Sequence, residues 1–211
     1  MVTLAQSERA ALAATLQTVG PDAPTLCGDW DTRDLAAHLV IRERRPDAAL
    51  GIVVSPLAGH TEKVQAHTAA QPWPDLVEEV ADGPPWYSMF RLVDRWANLA
   101  EMFIHHEDVL RGGADPDGPW TPRELSADMT QALRTPLKGM GKLTLRSMPA
   151  QLTLATPDGE NVLVAGSGEP VTATGTVGEL LLFAYGRAPV AITWSGDPDA
   201  IAAVLATTRS V

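Results

Sequence analysis

The sequence predicts two units of different class: an all-helical unit over residues 1–148 and a small α+β unit over 149–211. Three observations predict this. Up to about residue 148, apolar residues recur at the i, i+3, i+4 spacing of helices that bury one face. From Gln151 the pattern turns to alternation, broken by the turn signal Pro157-Asp158-Gly159. Finally, 211 residues with 45% hydrophobic and 20% charged content suffice for real cores.

The elements follow in order. Thr3-Leu4-Ala5-Gln6 fits a capping box, Leu12, Leu16 and Val19 continue at helical spacing, and Gly20-Pro21 stops the helix. Asp31 is the expected N-cap of a second helix over 32–45, ended by Pro46, with Leu35, His38, Leu39 and Ile41 or Arg42 on its inner stripe. Shorter helices are expected around 60–70 and 74–81. The longest helix spans about 87–111 and ends at Gly112-Gly113. Val93, Ala97, Glu101 and His105 form one of its stripes, flanked by Phe90, Trp96, Leu99, Phe103 and Leu110. Thr121-Pro122-Arg123-Glu124 reads as a capping box for a helix to about Arg134. Strands are expected at 151–156, 162–165, 170–174 and 190–194. A helix from Thr176 to Tyr185 precedes the last strand, and a final helix from Asp197-Pro198 to near Thr207 follows it.

Charge narrows the function classes. The net charge of −10 disfavours nucleic acid and anionic membrane surfaces, both of which are bound by clustered Lys and Arg. No run reaches the roughly 18–20 apolar residues of a membrane span. The N-terminus MVTLAQSERAAL lacks the basic-then-apolar order of a signal peptide, so a cytoplasmic protein is expected. Cys27 stands alone, which excludes an intrachain disulfide and a Cys-based zinc knuckle. With no basic neighbour in sequence, it reads as a buried structural cysteine rather than a catalytic thiolate.

The stretch EMFIHHEDVL, residues 101–110, places two histidines and three acids in an otherwise apolar helix. Glu101 and His105 share a helix face and suit two ligands of one cation; the same spacing also serves a plain surface pair. A third ligand would come from another helix, where His38 occupies an inner position. Two histidines and a glutamate suit Zn²⁺, or Fe²⁺, Ni²⁺ or Co²⁺, and leave open positions for water or substrate. His106-Glu107 begins like HExxH, but Leu110 stands at the last place, so that motif is absent. His106 lies 100° round the helix from His105 and is not expected at the same ion. Asp108 is either an acid that orients a ligand histidine or a solvated one. His60 and His67 are expected to be exposed.

TLCGDWDTRDLAAHL and, about 60 residues later, NLAEMFIHHEDVLR resemble the mycothiol-dependent maleylpyruvate isomerase family of DinB-like, metal-binding four-helix bundles. The shared pattern is Trp30, then Asp34-Leu35-Ala36-Ala37-His38, then Glu101, His105 and Asp108. GTVGELLLFAYGRAP resembles the helix ending in Gly-Arg of the family's C-terminal α+β domain. The resemblance implies His38, Glu101 and His105 as metal ligands and Asp108 behind them. It also implies a low-molecular-weight thiol, mycothiol, and an electrophilic small-molecule substrate, in an isomerase or transferase reaction. For an acidic substrate the cationic candidates are Arg187 of the Gly-Arg motif and Arg42, although Arg187 equally fits a helix C-cap. A non-catalytic metal sensor or scavenger is the competing class, and a monomer or homodimer the expected assembly.

Overall fold

A computed structural model describes residues 2–45, 47–48, 58–86, 88 and 97–209. They form eight helices and one four-stranded sheet, divided into two compact units, Met1–Gly113 and Ala114–Val211. The boundary falls at 113/114, not at the expected 148/149. The intervening helix packs on elements that follow it in the chain, which assigns it to the second unit.

The first unit is helical: α1 (Leu4–Val19), α2 (Thr32–Arg44), α3 (Ala58–Ala69), α4 (Trp73–Asp82) and α5, described over Ala97–Leu110. Of the expected residues 87–96 of α5, 87 and 89–96 lie outside the described residues, Phe90, Val93 and Trp96 among them, and Ser88 is not helical. The capping box of α1 forms, with Gln6 N–H donating to Thr3 Oγ1 at 3.2 Å and Thr3 N–H to Gln6 Oε1 at 2.9 Å. α1 packs on α4 and α5, and α2 packs on α3 and α4. Leu12, Leu16, Leu35, Leu39, Leu76, Val80 and Met102 form the core between them. Arg9 and Glu43 are buried within this unit as an ion pair at 2.5 Å, and Arg9 also donates to Val80 O at 2.9 Å. A charge taken out of water requires such a partner.

The loop between α1 and α2 is tied to the end of α5. Asp31 caps α2 by accepting from Asp34 N–H at 2.9 Å, and Pro24 bridges Asp31 across the loop. Leu26 N–H donates to Asp108 O at 3.1 Å. Gly112 does not adopt positive φ; its role is space, since a Cβ there would lie 1.8 Å from Pro24 O. The expected left-handed helix stop is therefore a close approach of two backbones instead.

The second unit contains α6 (Ala127–Thr144), strands β1 (Gln151–Ala155), β2 (Asn161–Ala165) and β3 (Pro170–Thr174), α7 (Val177–Ala184), β4 (Thr193–Gly196) and α8 (Pro198–Ala206). The sheet order is β2-β1-β3-β4, with β1 and β3 parallel and the outer pairs antiparallel. The element order β-β-β-α-β-α is the expected one. Two elements differ in their bounds. α6 starts at Ala127, capped by Ser126 rather than Thr121, and runs through Pro136 to Thr144 rather than ending near Arg134. Met129, Leu133, Leu137 and Gly141 form a continuous buried stripe across the proline, and packing on α7 and β2 outweighs the lost hydrogen bond. β4 begins at Thr193 rather than Val190; just before it, Ala191 N–H donates to Glu179 Oε2 at 2.7 Å.

No described helix is long and apolar enough to cross a membrane.

Candidate metal centre

α2 and α5 bring three of the predicted residues together. The His38 and His105 rings lie 5.5 Å apart between centroids, edge to face. Glu101 Oε2 is 3.3 Å from His105 Nε2, as the one-turn spacing requires. Trp30, just before the α2 cap, sits 5.2 Å from the His38 ring. Among the described residues neither nitrogen of the half-buried His38 ring makes a hydrogen bond.

The other nitrogen of His105 is held from behind. Nδ1 lies 3.0 Å from Asp108 Oδ2, and Asp108 is fully buried. Asp108 is thus no solvated acid: it fixes the ring so that Nε2 points toward Glu101. The same Oδ2 accepts from the Cys27 thiol at 3.0 Å. Cys27 was expected to be buried with no base at hand. It is half-buried, and the folded-back loop places its sulfur 3.9 Å from His105 Nδ1. The sequence around residue 27 holds no sign of this, because the contact spans 78 positions.

Arg42 also joins the cluster, with Nε 3.7 Å from Glu101 Oε2 and a hydrogen bond to Asn98 Oδ1 at 3.0 Å. Its charge is engaged by Glu101. Arg187 lies in the second unit and donates to Tyr185 O at 3.0 Å. Gly186, at φ +76°, and Arg187 close α7 through Phe183 O and Leu182 O, so the Gly-Arg pair serves as a helix stop. His60 and His67 are exposed, as expected.

Electrostatics separate the three central groups. Burial, and then the charge on His105, lower His38 to about 3, so it is a neutral imidazole at physiological pH. Burial raises Glu101, but the hydrogen bond and charge of His105, with Arg42, outweigh it and bring the carboxyl down to about 2. Burial also lowers His105, yet hydrogen bonds to Asp108, Cys27 and Glu101 lift it well above 6.5. Glu101 is thereby a carboxylate beside a protonated His105.

Two of these donors, Glu101 and His105, are spaced for one divalent ion. Two ligands of one tetrahedral zinc, with bonds near 2.1 Å, stand roughly 3.4 Å apart, and Glu101 Oε2 and His105 Nε2 stand 3.3 Å apart. A second group shares His105: Cys27, His105 and Asp108 offer sulfur, nitrogen and oxygen atoms within 4.8 Å of one another. There, however, the 3.0 Å contacts to Asp108 are those of hydrogen bonds. A sulfur and an oxygen on one zinc would stand about 3.6 Å apart.

The fold is that of a helical unit, which carries a buried polar cluster on its α2 and α5 helices, followed by a small α+β unit. The same fold occurs in the crystal structures of the mycothiol-dependent maleylpyruvate isomerase. The match to a histidine-to-alanine mutant has a TM-score of 0.60 at 14% identity, covering 91% of this chain and 89% of that one. For the unmutated enzyme the TM-score is 0.58 at 13% identity, with the same coverage. No family model matches the sequence, and no curated protein matches it.

Proposed function

We propose that His38, Glu101 and His105 bind one divalent cation, Zn²⁺ ahead of Ni²⁺, Fe²⁺ or Co²⁺. The helical unit is then a metal-binding bundle of the DinB-like kind, working with a low-molecular-weight thiol of the mycothiol type. The activity is that of an isomerase or S-transferase acting on a small electrophile. The carrying observation is the juxtaposition of three unlike donors: a neutral imidazole without a hydrogen bond among the described residues, a carboxylate, and an imidazole whose far nitrogen is held by Asp108. The likeness to a mycothiol-dependent isomerase over 91% of the chain supports the thiol and the reaction class.

A cation held there would lower the pKa of an arriving thiol and make a nucleophile available at neutral pH. The chain's own residues set the rest. Asp108 orients His105, Trp30 packs beside His38, and Arg42 with Asn98 steadies Glu101. Three protein ligands leave a coordination position for the thiol. A cytoplasmic site of action and a monomeric or homodimeric state belong to the same reading. The alternative is a non-catalytic metal sensor or scavenger on the same residues.

Elemental analysis of the purified protein tests the site, followed by thermal melting with low-molecular-weight thiols before and after chelation. Stoichiometric metal, and a thiol-dependent rise in Tm only in the loaded protein, is the expected result. An equal thiol response with and without metal would overturn it. Turnover of an electrophile with the thiol separates enzyme from sensor.

A further inference from the structure

We infer that Cys27 is a positioning residue of the metal centre: its thiol holds Asp108 in the orientation that fixes His105, and it is not itself a ligand. The inference rests on the ligand reading proposed above.

The geometry is built from the loop upward. Thr25 Oγ1 accepts from Cys27 N–H at 3.1 Å and donates to Trp30 O at 2.7 Å, which closes the turn carrying the sulfur. Leu26 N–H donates to the backbone oxygen of Asp108, so the loop is pinned to α5 at the residue whose side chain the thiol meets. Gly112 lets the Pro24 backbone come that close. One carboxylate oxygen, Oδ2, then faces two donors at 3.0 Å: the thiol and His105 Nδ1. Two donors on one oxygen leave the carboxylate little freedom to rotate, and through it the ring presents Nε2 to Glu101. Partners behind a metal-bound histidine set its orientation and its basicity. A thiol is a weak donor, so it restrains Asp108 without neutralising it. The unequal separations, 3.0 Å from sulfur to oxygen against 3.9 Å from sulfur to Nδ1, fit a thiol proton directed at Asp108.

The experiment compares the full-length wild type with Cys27→Ser and Cys27→Ala. One readout is the imidazole ¹H–¹⁵N spectrum of His105 in metal-free protein, with the solvent exchange of its Nδ1 proton. The other is titration with Co²⁺ followed by its electronic absorption. Wild type and Cys27→Ser are expected to show a protected Nδ1 proton and to bind Co²⁺ alike, without a sulfur-to-cobalt charge-transfer band. Cys27→Ala is expected to speed the exchange of that proton and to weaken Co²⁺ binding by about tenfold or more. A charge-transfer band in wild type that both variants lose would make Cys27 a ligand and overturn the inference. Unchanged proton exchange and cobalt affinity in Cys27→Ala would also overturn it. The chain has a single cysteine, so methyl methanethiosulfonate removes the same donor from folded wild-type protein. That treatment decides the matter if Cys27→Ala does not fold. If His38→Ala and Glu101→Ala leave Co²⁺ binding untouched, the ligand reading fails by itself. The proton-exchange comparison still reports whether Cys27 holds Asp108 and His105.

Discussion

His105 and His106 are consecutive residues of α5, both nearly inaccessible, at 8% and 5% exposure, yet their surroundings differ in kind. His106 looks toward α1. Its Nδ1 meets Glu8 Oε1 at 2.8 Å and its Nε2 meets Thr15 Oγ1 at 2.9 Å, so both ring nitrogens have partners within the fold. The neighbouring Glu107 is likewise matched to Arg111 at 2.7 Å, both buried. On the other flank Glu101 lies 3.3 Å from His105, and the His38 ring meets the His105 ring edge to face. One flank is complete as it stands. The other is where the proposed cation would sit. The 100° between successive helical residues sends them to different neighbours.

Substitution is the strongest way to break this contrast. His38→Ala or Glu101→Ala is expected to lower metal affinity at least about 100-fold, since each deletes a direct ligand in the proposed site, and to leave the fold intact. His106→Ala should do the reverse: metal stoichiometry unchanged, with stability lowered by about 2–3 kcal/mol, because the buried Glu8 carboxylate loses its imidazole partner. Metal analysis and urea denaturation of the three variants read both sides. Metal loss in His106→Ala with retention in His38→Ala would reverse the assignment of the two flanks.

The thiol response sharpens the comparison next. A thiol concentration 100 times its Kd should add about 2.7 kcal/mol to the loaded protein, visible as a raised Tm. His38→Ala should show no such rise, and Thr15→Val should retain it.

Proton release follows from the charge states. His105 keeps its proton well above 6.5 in the metal-free protein, whereas His38, lowered to about 3, carries none at pH 7. A cation must displace the His105 proton, so binding at pH 7 should release about one proton. Apparent affinity should then rise as pH increases through 7, and His38 should add no pH dependence above about 5. Calorimetry in buffers of different ionisation enthalpy measures this. Affinity that is flat above 6.5 would show that His105 is neutral before the metal arrives.

The smallest effect belongs to the complete flank. Thr15→Val removes the hydroxyl beside His106 Nε2 and should cost about 1 kcal/mol of stability, with metal affinity unchanged. Denaturation and a metal titration on one sample test it.

Much of this architecture is legible in local chemistry. The capping box at Thr3 and the caps at Asp31, Thr176 and Asp197 all form where short polar side chains precede apolar periodicity. The change of period near residue 150 marks the strands. Where local signals conflicted with packing, packing prevailed: Pro136 does not end α6, because the Met129–Gly141 stripe continues through it. Gly112-Gly113 reads as a left-handed cap, yet the glycine is needed for the passage of a loop some ninety residues earlier in the chain.

The sequence by itself determined that Glu101 and His105 share a face, that His106 does not, and that His38 stands on an inner stripe. Helical geometry depends only on spacing, so these relations are fixed before the chain folds. Tertiary structure decided that Asp108 is buried behind His105 and which thiol meets it there. It also engaged the Arg42 charge with Glu101 and gave the buried His106 its partners on α1. The thiol and the His106 partners are contacts across 81 to 98 positions, and no local period encodes them. They arise because a buried polar group must find a partner wherever the packed helices place one.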